Sequence, residues 1–250
     1  MDCDFKNKVI LVTGSSSGIG FGIAEAFKKK GATIVLNSRH ENTLIKAQED
    51  LGGVCGIVAD VTEPSQAKFL IEEVIRQFGQ LDSLVCNVGS GRSVPPGMED
   101  YDEWQRVFST NLWSATNMVE VSKQHLEKVK GNIICISSIC GSEVIPGAPT
   151  TYSVAKAALN GYVKSTSRAL GKLGIRINAV SPGNILFEDS IWNKKIKENK
   201  EEVMSMLDKE VPIMQLGDIQ DIGELCCYLS SSYAKFITGS VCVADGGQTR

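Results

Sequence analysis

The chain has 250 residues, 42% of them hydrophobic and 22% charged, with a net charge of −3. That suits one soluble α/β domain with a substantial core, and the mildly acidic balance disfavours a nucleic-acid or membrane-surface binder. The 8 cysteines are scattered with no Cys-x-x-Cys, and the only histidines are His40 and His125, which argues against a disulfide framework, a redox dithiol, structural zinc, a Ser-His-Asp hydrolase or a His-bearing metal site.

No apolar run approaches the ~20 residues of a membrane span. Met1-Asp2-Cys3-Asp4-Phe5-Lys6 has acids and no apolar core, so it does not read as a signal peptide, and the expected location is cytoplasmic. Val9–Thr13 is a short β-branched run with the signature of a buried parallel strand. Gly14-Ser15-Ser16-Ser17-Gly18-Ile19-Gly20 then leads into a helix pattern. Small residues between a strand and a helix N-terminus suit a phosphate-cradling loop, because N–H groups and the helix dipole favour negative charge. An ordinary glycine-rich turn has the same composition, but the strand–loop–helix context favours the cradle.

Ala32–Asn37 is the next strand, and Asn37-Ser38-Arg39 is its exit. In a dinucleotide fold an acid at this exit meets the 2′-hydroxyl of NAD, whereas an Arg accommodates the 2′-phosphate of NADP. No acid occurs until Glu41, so Ser38 and Arg39 favour NADP, with NAD as the alternative. A helix over 41–51 leads to a strand at Cys55–Ala59 that ends at Asp60-Val61. A helix over Pro64–Phe78 follows, with Pro at its start. The next strand, Leu81–Asn87, closes in Cys86-Asn87-Val88-Gly89.

Ser90–Gly97 is a loop over the sheet edge, and Asp100 to about Lys128 is largely helical and contains Asn111. Asn132–Ser137 is a strand with Ser138 at its carboxyl end. In the helix that follows, with Thr151 as a candidate cap, Tyr152 and Lys156 are i and i+4 and share one face. A nearby ammonium favours the phenolate, which lowers the tyrosine pKa from ~10 and fits Tyr152 as a proton donor or acceptor. Ile175–Val180 is a strand, Pro182-Gly183 a turn, and 188–209 a charge-rich, helix-prone block that reads as a lid. A helix over 218–230 and a strand over Ser240–Ala244 complete the chain.

Strands and helices alternate throughout, which predicts a doubly wound parallel sheet of about seven strands with helices on both faces. Ligands in such sheets lie beyond the strand carboxyl ends, where Gly14, Asp60, Asn87, Ser138 and Pro182 all fall.

Along essentially its whole length the chain resembles the short-chain dehydrogenase/reductase family. The matching residues are Thr13-Gly14-x-x-x-Gly18-Ile19-Gly20, Asp60-Val61, Asn87-x-Gly89, Asn111, Ser137-Ser138, Tyr152-x-x-x-Lys156 and Pro182-Gly183. The resemblance implies a single Rossmann domain and hydride transfer between a nicotinamide and a carbonyl or secondary alcohol. It makes Tyr152 the general acid/base and Lys156 the group that lowers its pKa and holds the nicotinamide ribose. Ser138 would polarise the carbonyl, and Asn111 would hold a water in a proton relay. The cofactor would be held by Gly14, Ser16, Ser17, Gly18, Ile19, Gly20, Ser38, Arg39, Asp60, Val61, Asn87, Gly89, Pro182, Gly183 and Ile185, together with Tyr152 and Lys156. Asp60 also suits a cap for the helix near Pro64.

The chain departs from the family pattern at Cys86, where an Asn is usual, and at Phe187, where a Thr usually contacts the cofactor. Within the family it is most like the 3-oxoacyl-carrier-protein reductases, and NADPH is the favoured cofactor. A sugar or polyol dehydrogenase that meets its substrate with Ser90, Arg92, Asn184 and Glu188 is the alternative. A cofactor-binding subunit without turnover is the reading from another class, and the intact Ser138, Tyr152 and Lys156 count against it. The resemblance also implies a homotetramer or homodimer that pairs through the helices around 101–128 and 151–170, where Ala157, Ala158 and Gly161 permit close approach.

Overall fold

The computed structural model describes residues 3–249. Met1 and Asp2, part of the stretch read as lacking a signal peptide, lie outside the described residues, as does Arg250. In chain order the elements are Val9–Val12 (β1), Gly18–Lys29 (α1), Thr33–Ser38 (β2), Glu41–Asp50 (α2), Cys55–Val58 (β3), Pro64–Phe78 (α3) and Ser83–Cys86 (β4). Then come Tyr101–Phe108 (α4), Ser114–Val129 (α5), Asn132–Ile136 (β5), Thr150–Lys172 (α6), Arg176–Pro182 (β6) and Ile185–Leu186 (β7). Ile191–Glu198 (α7), Lys200–Glu210 (α8), Gly217–Asp218 (β8), Ile219–Ser230 (α9) and Val241–Ala244 (β9) complete the chain.

The apolar strands assemble into one 7-stranded parallel sheet in the order β3-β2-β1-β4-β5-β6-β9, and β7 and β8 form a small separate pair. Alternate residues of each strand face opposite layers, so both faces must be covered by helices. Val9 and Leu11 point into a core built with α3, α5 and α6, while Ile10 and Val12 point into one built with α1, α2 and α9. The strand order reverses between β1 and β4, which opens a crevice beyond their carboxyl ends.

Four local expectations change. Pro182 is the last residue of β6, not a turn: β5 stops at Ile136 opposite Val180, so the missing N–H of Pro182 faces no strand on that side, and Pro182 still pairs with Ala244 of β9. The charged block at 188–209 is two helices joined at Asn199, whose side chain accepts from Glu202 N. Val203, Leu207 and Val211 give these helices a small core of their own. The stretch 101–129 is not uniform, because α4 and α5 are joined by a π-helical turn, Ser109–Trp113. Finally, Thr151 lies inside α6, behind a Pro149 cap, and is fully buried.

Among the described residues no helix is long and apolar enough to cross a membrane, and no cluster of His, Cys, Asp or Glu is arranged to hold a metal ion.

Candidate active site

The glycine-rich loop comes off β1 with its turn locked from inside. Ser15 Oγ donates to Val12 O at 2.7 Å and accepts from Asn37 N at 3.0 Å. Asn87 Nδ2 donates to the carbonyls of Thr13 at 3.0 Å and Gly14 at 2.9 Å, so this side chain braces the loop. Gly14 and Gly18 adopt positive φ of 59° and 57°, a region that side chains disfavour. Helix α1 starts at Gly18 with no side-chain cap on Ser17 and no acid in its first turn. Its first N–H groups therefore face the crevice without an internal anion, which is the arrangement a pyrophosphate needs.

At the exit of β2 the structure gathers hydroxyls that the sequence kept apart. Ser16 Oγ donates to Ser38 Oγ at 3.2 Å, and Thr43 Oγ1 approaches both. The Arg39 guanidinium is mostly exposed beside them and lies 3.8 Å from Asp60. Asp60 does not cap α3, whose cap is Glu63; its carboxylate instead accepts from Thr62 N at 3.0 Å and Thr62 Oγ1 at 2.7 Å. Gly14, Ser38, Arg39, Asp60, Val61, Asn87 and Gly89 line one cavity of about 240 Å³ at the strand carboxyl ends. Asn37, His40 and Thr43, not singled out from sequence, belong to the same corner. Asn37 is buried and ties β2 to β3 through Ile57 O and Ala59 O.

The other half of the site lies beyond β4, β5 and α6. Lys156 is 2% exposed, and its Nζ donates to Ile136 O at 2.8 Å. A carbon added at Gly89 would sit 2.9 Å from Lys156 Nζ and 3.0 Å from Asn111 Oδ1, so both groups close on this glycine. Asn111, carried on the π turn, is buried and clamps Ser90: its Oδ1 accepts from Ser90 N at 2.9 Å and its Nδ2 donates to Ser90 O at 3.1 Å. Nδ2 also reaches Val107 O at 3.0 Å, so the side chain is committed to protein groups. Ser138 is buried at the head of a short 3₁₀ turn and accepts from Cys140 N at 3.2 Å.

Burial raises the Tyr152 phenol to about 12, against a smaller opposing effect of the Ser138 hydroxyl, and lowers Lys156 to about 8. The expected lowering of the Tyr152 pKa by Lys156 is therefore absent, because desolvation is the largest influence on each group. Lys156 Nζ lies 5.8 Å from the Tyr152 ring centre.

Of the remaining expected contacts, Ile185 turns its side chain into the core, and its strand pairs with Gly217. Phe187 packs directly over the glycine loop, since a carbon added at Gly18 would lie 3.0 Å from its Cε2. Cys86 is buried beside Cys135 of the neighbouring strand, and its thiol faces Ala115 O at 3.9 Å. A larger cavity, about 510 Å³, lies at the opposite, amino-terminal edge of the sheet among Lys8, Asp82, Asn132 and Arg176, remote from these groups.

A family model described as enoyl-(acyl carrier protein) reductase matches residues 14–249. The 3-oxoacyl-[acyl-carrier-protein] reductase FabG of Chlamydia muridarum is 33% identical over 96% of this chain and 97% of its own, and its Escherichia coli counterpart is 32% identical over 98% of both. The L-sorbose reductase of Gluconobacter frateurii, solved with NADPH and L-sorbose, superposes with a TM-score of 0.92 at 32% identity over 99% of this chain and 98% of that one. A 7α-hydroxysteroid dehydrogenase complexed with NADH and 7-oxo glycochenodeoxycholic acid superposes with a TM-score of 0.89 at 26% identity, covering 98% and 96% of the two chains. The chain belongs to the short-chain dehydrogenase/reductase family. It is an NAD(P)-dependent oxidoreductase acting on carbonyl or CH–OH groups.

Proposed function

We propose that the protein is an NADPH-dependent reductase of 3-oxoacyl thioesters, with Tyr152 as its proton donor. The observation that carries this reading is a buried Lys156 ammonium with no carboxylate partner among the described residues, closing on Gly89 beside Asn111 and one turn from Tyr152. The uncapped α1 N-terminus, the open glycine loop and the hydroxyl corner at Ser38 fit a dinucleotide, which supplies the hydride when bound.

The chain's own residues do the rest. Tyr152 holds its proton until the substrate oxygen gains charge, and Ser138 donates to that same oxygen. Lys156 would hold the ribose hydroxyls of a bound dinucleotide, and it keeps positive charge close to the phenol. Asn111, with its side chain committed to Ser90 and Val107, serves the proton relay through its main chain. Ser16, Ser38, Thr43 and Arg39 favour a 2′-phosphate and hence NADPH, as in the sorbose reductase complex, over the NADH of the steroid enzyme.

The two helices over 191–210 form the substrate lid of a single-domain enzyme, and exposed Ile191 and Met204 suit an acyl chain. The outer face of α6 exposes Val154, Ala157 and Gly161, which supports pairing of copies into a homodimer or homotetramer in the cytoplasm.

A second reading, a keto-sugar reductase, is favoured by the sorbose reductase neighbour and by Asn184, whose buried Nδ2 lacks a protein partner and, with Ser90, Arg92 and Glu188, would meet hydroxyls. NADPH oxidation with acetoacetyl-coenzyme A, run beside L-sorbose and other keto-sugars, separates the two. Turnover only with sugars overturns the thioester assignment. Tyr152→Phe is expected to abolish turnover while sparing NADPH binding, and retained activity removes Tyr152 from the chemistry.

A further inference from the structure

The loop that follows Gly89 is fastened to the start of α6 by a relay of side chains. Glu103 Oε1 accepts from Ser93 Oγ at 2.6 Å, and Ser93 Oγ lies 2.6 Å from Thr151 Oγ1. Arg106 grips Glu103 with two bonds of 2.7 Å and donates a third, of 2.9 Å, to Arg92 O. Arg106 above all, with help from Ser93, holds the Glu103 carboxyl down at about 2, so it is ionised at any working pH. An ionised carboxylate only accepts. Ser93 must therefore give its proton to Glu103, and Thr151, buried with no solvent to turn to, must donate to Ser93. The relay has one direction, Thr151 to Ser93 to Glu103, and its last bond, from Ser93 to the carboxylate, has the short length of a charge-assisted contact.

Its position matters for the chemistry. Thr151 immediately precedes Tyr152, and Gly91 sits against the Tyr152 ring, where an added carbon would lie 3.9 Å from Cε1 and Cζ. The N-terminus of α6 has no side-chain cap of its own, so its first turn relies on neighbours for its placement. Resting on the assignment of Tyr152 as proton donor, we propose that Glu103 is a positioning residue that acts through Ser93 and Thr151 to fix the 90–94 loop against the Tyr152 turn. This sets the width of the slot in which the substrate carbonyl meets the phenol. Arg106 supplies the second anchor by holding the same loop at Arg92.

The test uses the full chain with NADPH and acetoacetyl-coenzyme A. Thr151→Val keeps the buried shape and removes only the hydroxyl, Thr151→Ser restores it, and Glu103→Gln breaks the far end. Turnover is counted per NADPH-binding site, titrated by cofactor fluorescence, so that unfolded protein does not enter. In Thr151→Val, kcat per site is expected to fall about ten- to a hundredfold, the range a misplaced reacting group costs. The NADPH Kd stays within about twofold, and Thr151→Ser recovers most of the rate. Combining Thr151→Val with Glu103→Gln costs no more than Glu103→Gln alone, because the carboxylate change already cuts the chain that Thr151 feeds, along with the Arg106 and Val94 bonds.

Amide hydrogen exchange over 90–94 is expected to rise in each impaired variant. Wild-type kcat per site in Thr151→Val, or unchanged exchange at 90–94, overturns the proposal. Retained turnover in Tyr152→Phe, or no reduction of acetoacetyl-coenzyme A by the wild type, instead counts against the functional reading. In either case the exchange measurement still decides whether the relay holds the loop.

Discussion

Lys156 donates its ammonium proton to the Ile136 carbonyl at 2.8 Å, so the cation is tethered to the end of β5 and, among the described residues, to no acid. A buried, unmatched charge is a stability cost held in reserve for a ligand. The folded-state pKa of about 8 lies below the ordinary 10.5. Below pH 8 both folded and unfolded chains are charged and the burial cost is full. Between about 8 and 10.5 the folded chain sheds the proton first, so this contribution to stability rises with pH. Lys156→Met is therefore expected to be inactive yet more stable than wild type at pH 7, by an amount on the order of 3 kcal/mol less the lost hydrogen bond. Urea unfolding of both proteins at pH 7 and pH 10 checks this, with the difference shrinking at the higher pH.

The same titration shapes the rate. A profile of kcat/KM for the cofactor reports groups in the free enzyme. It is expected to fall above about pH 8, as Lys156 loses its charge, while Tyr152 stays protonated up to about 12. A profile flat to pH 10 would detach Lys156 from cofactor capture.

Arg39→Ala is expected to weaken NADPH by about ten- to a hundredfold, the worth of one charge-assisted contact, and NADH hardly at all. Isothermal titration with each cofactor measures this. Equal losses for both would remove the guanidinium from the 2′-phosphate site.

Gly18 faces two constraints, its φ of 57° and the Phe187 ring lying above it. Gly18→Ala is expected to weaken cofactor binding at least about fivefold, since a left-handed alanine costs roughly 1–2 kcal/mol. Adding Phe187→Ala relieves only the steric part. The difference in Kd between Gly18→Ala and the double variant therefore separates ring contact from backbone strain.

Cys86 sits where the family has an asparagine, packed among the apolar residues that cover β4 and β5. Cys86→Asn is expected to destabilise the fold by about 1–3 kcal/mol, because a buried amide finds too few partners there. Thermal unfolding measures the loss. A neutral result would mean that the neighbouring carbonyls already satisfy an amide.

Much of the fold was legible because strand and helix periods were clean: Pro64–Phe78 begins and ends as read, and the seven strands occupy their expected runs. Pro182 was misplaced because its tolerance depends on where β5 stops, a fact of pairing and not of local chemistry. Thr151 read as a cap by residue type, yet its hydroxyl is spent on Ser93, 58 positions away. The site showed the same division. Tyr152, Lys156 and the glycine loop are each local patterns, whereas the Ser16–Ser38–Thr43 corner forms only when β1 and β2 lie side by side. The reversed pKa shift at Tyr152 reflects burial, which a four-residue spacing does not convey.

The π turn at Ser109–Trp113 makes the stretch from Tyr101 to Val129 one helical rod with a surplus residue in it. Such a turn behaves as a length insertion that the rod absorbs without breaking. Deleting one residue there would close the rod into a continuous α-helix and leave its two halves in phase, so Met118, Val119 and Leu126 would stay in the core. Only the residues inside the turn would be re-aimed, and Asn111 would swing off Ser90. The extra residue thus lets one side chain at the middle of the rod be aimed independently of the packing on either side of it.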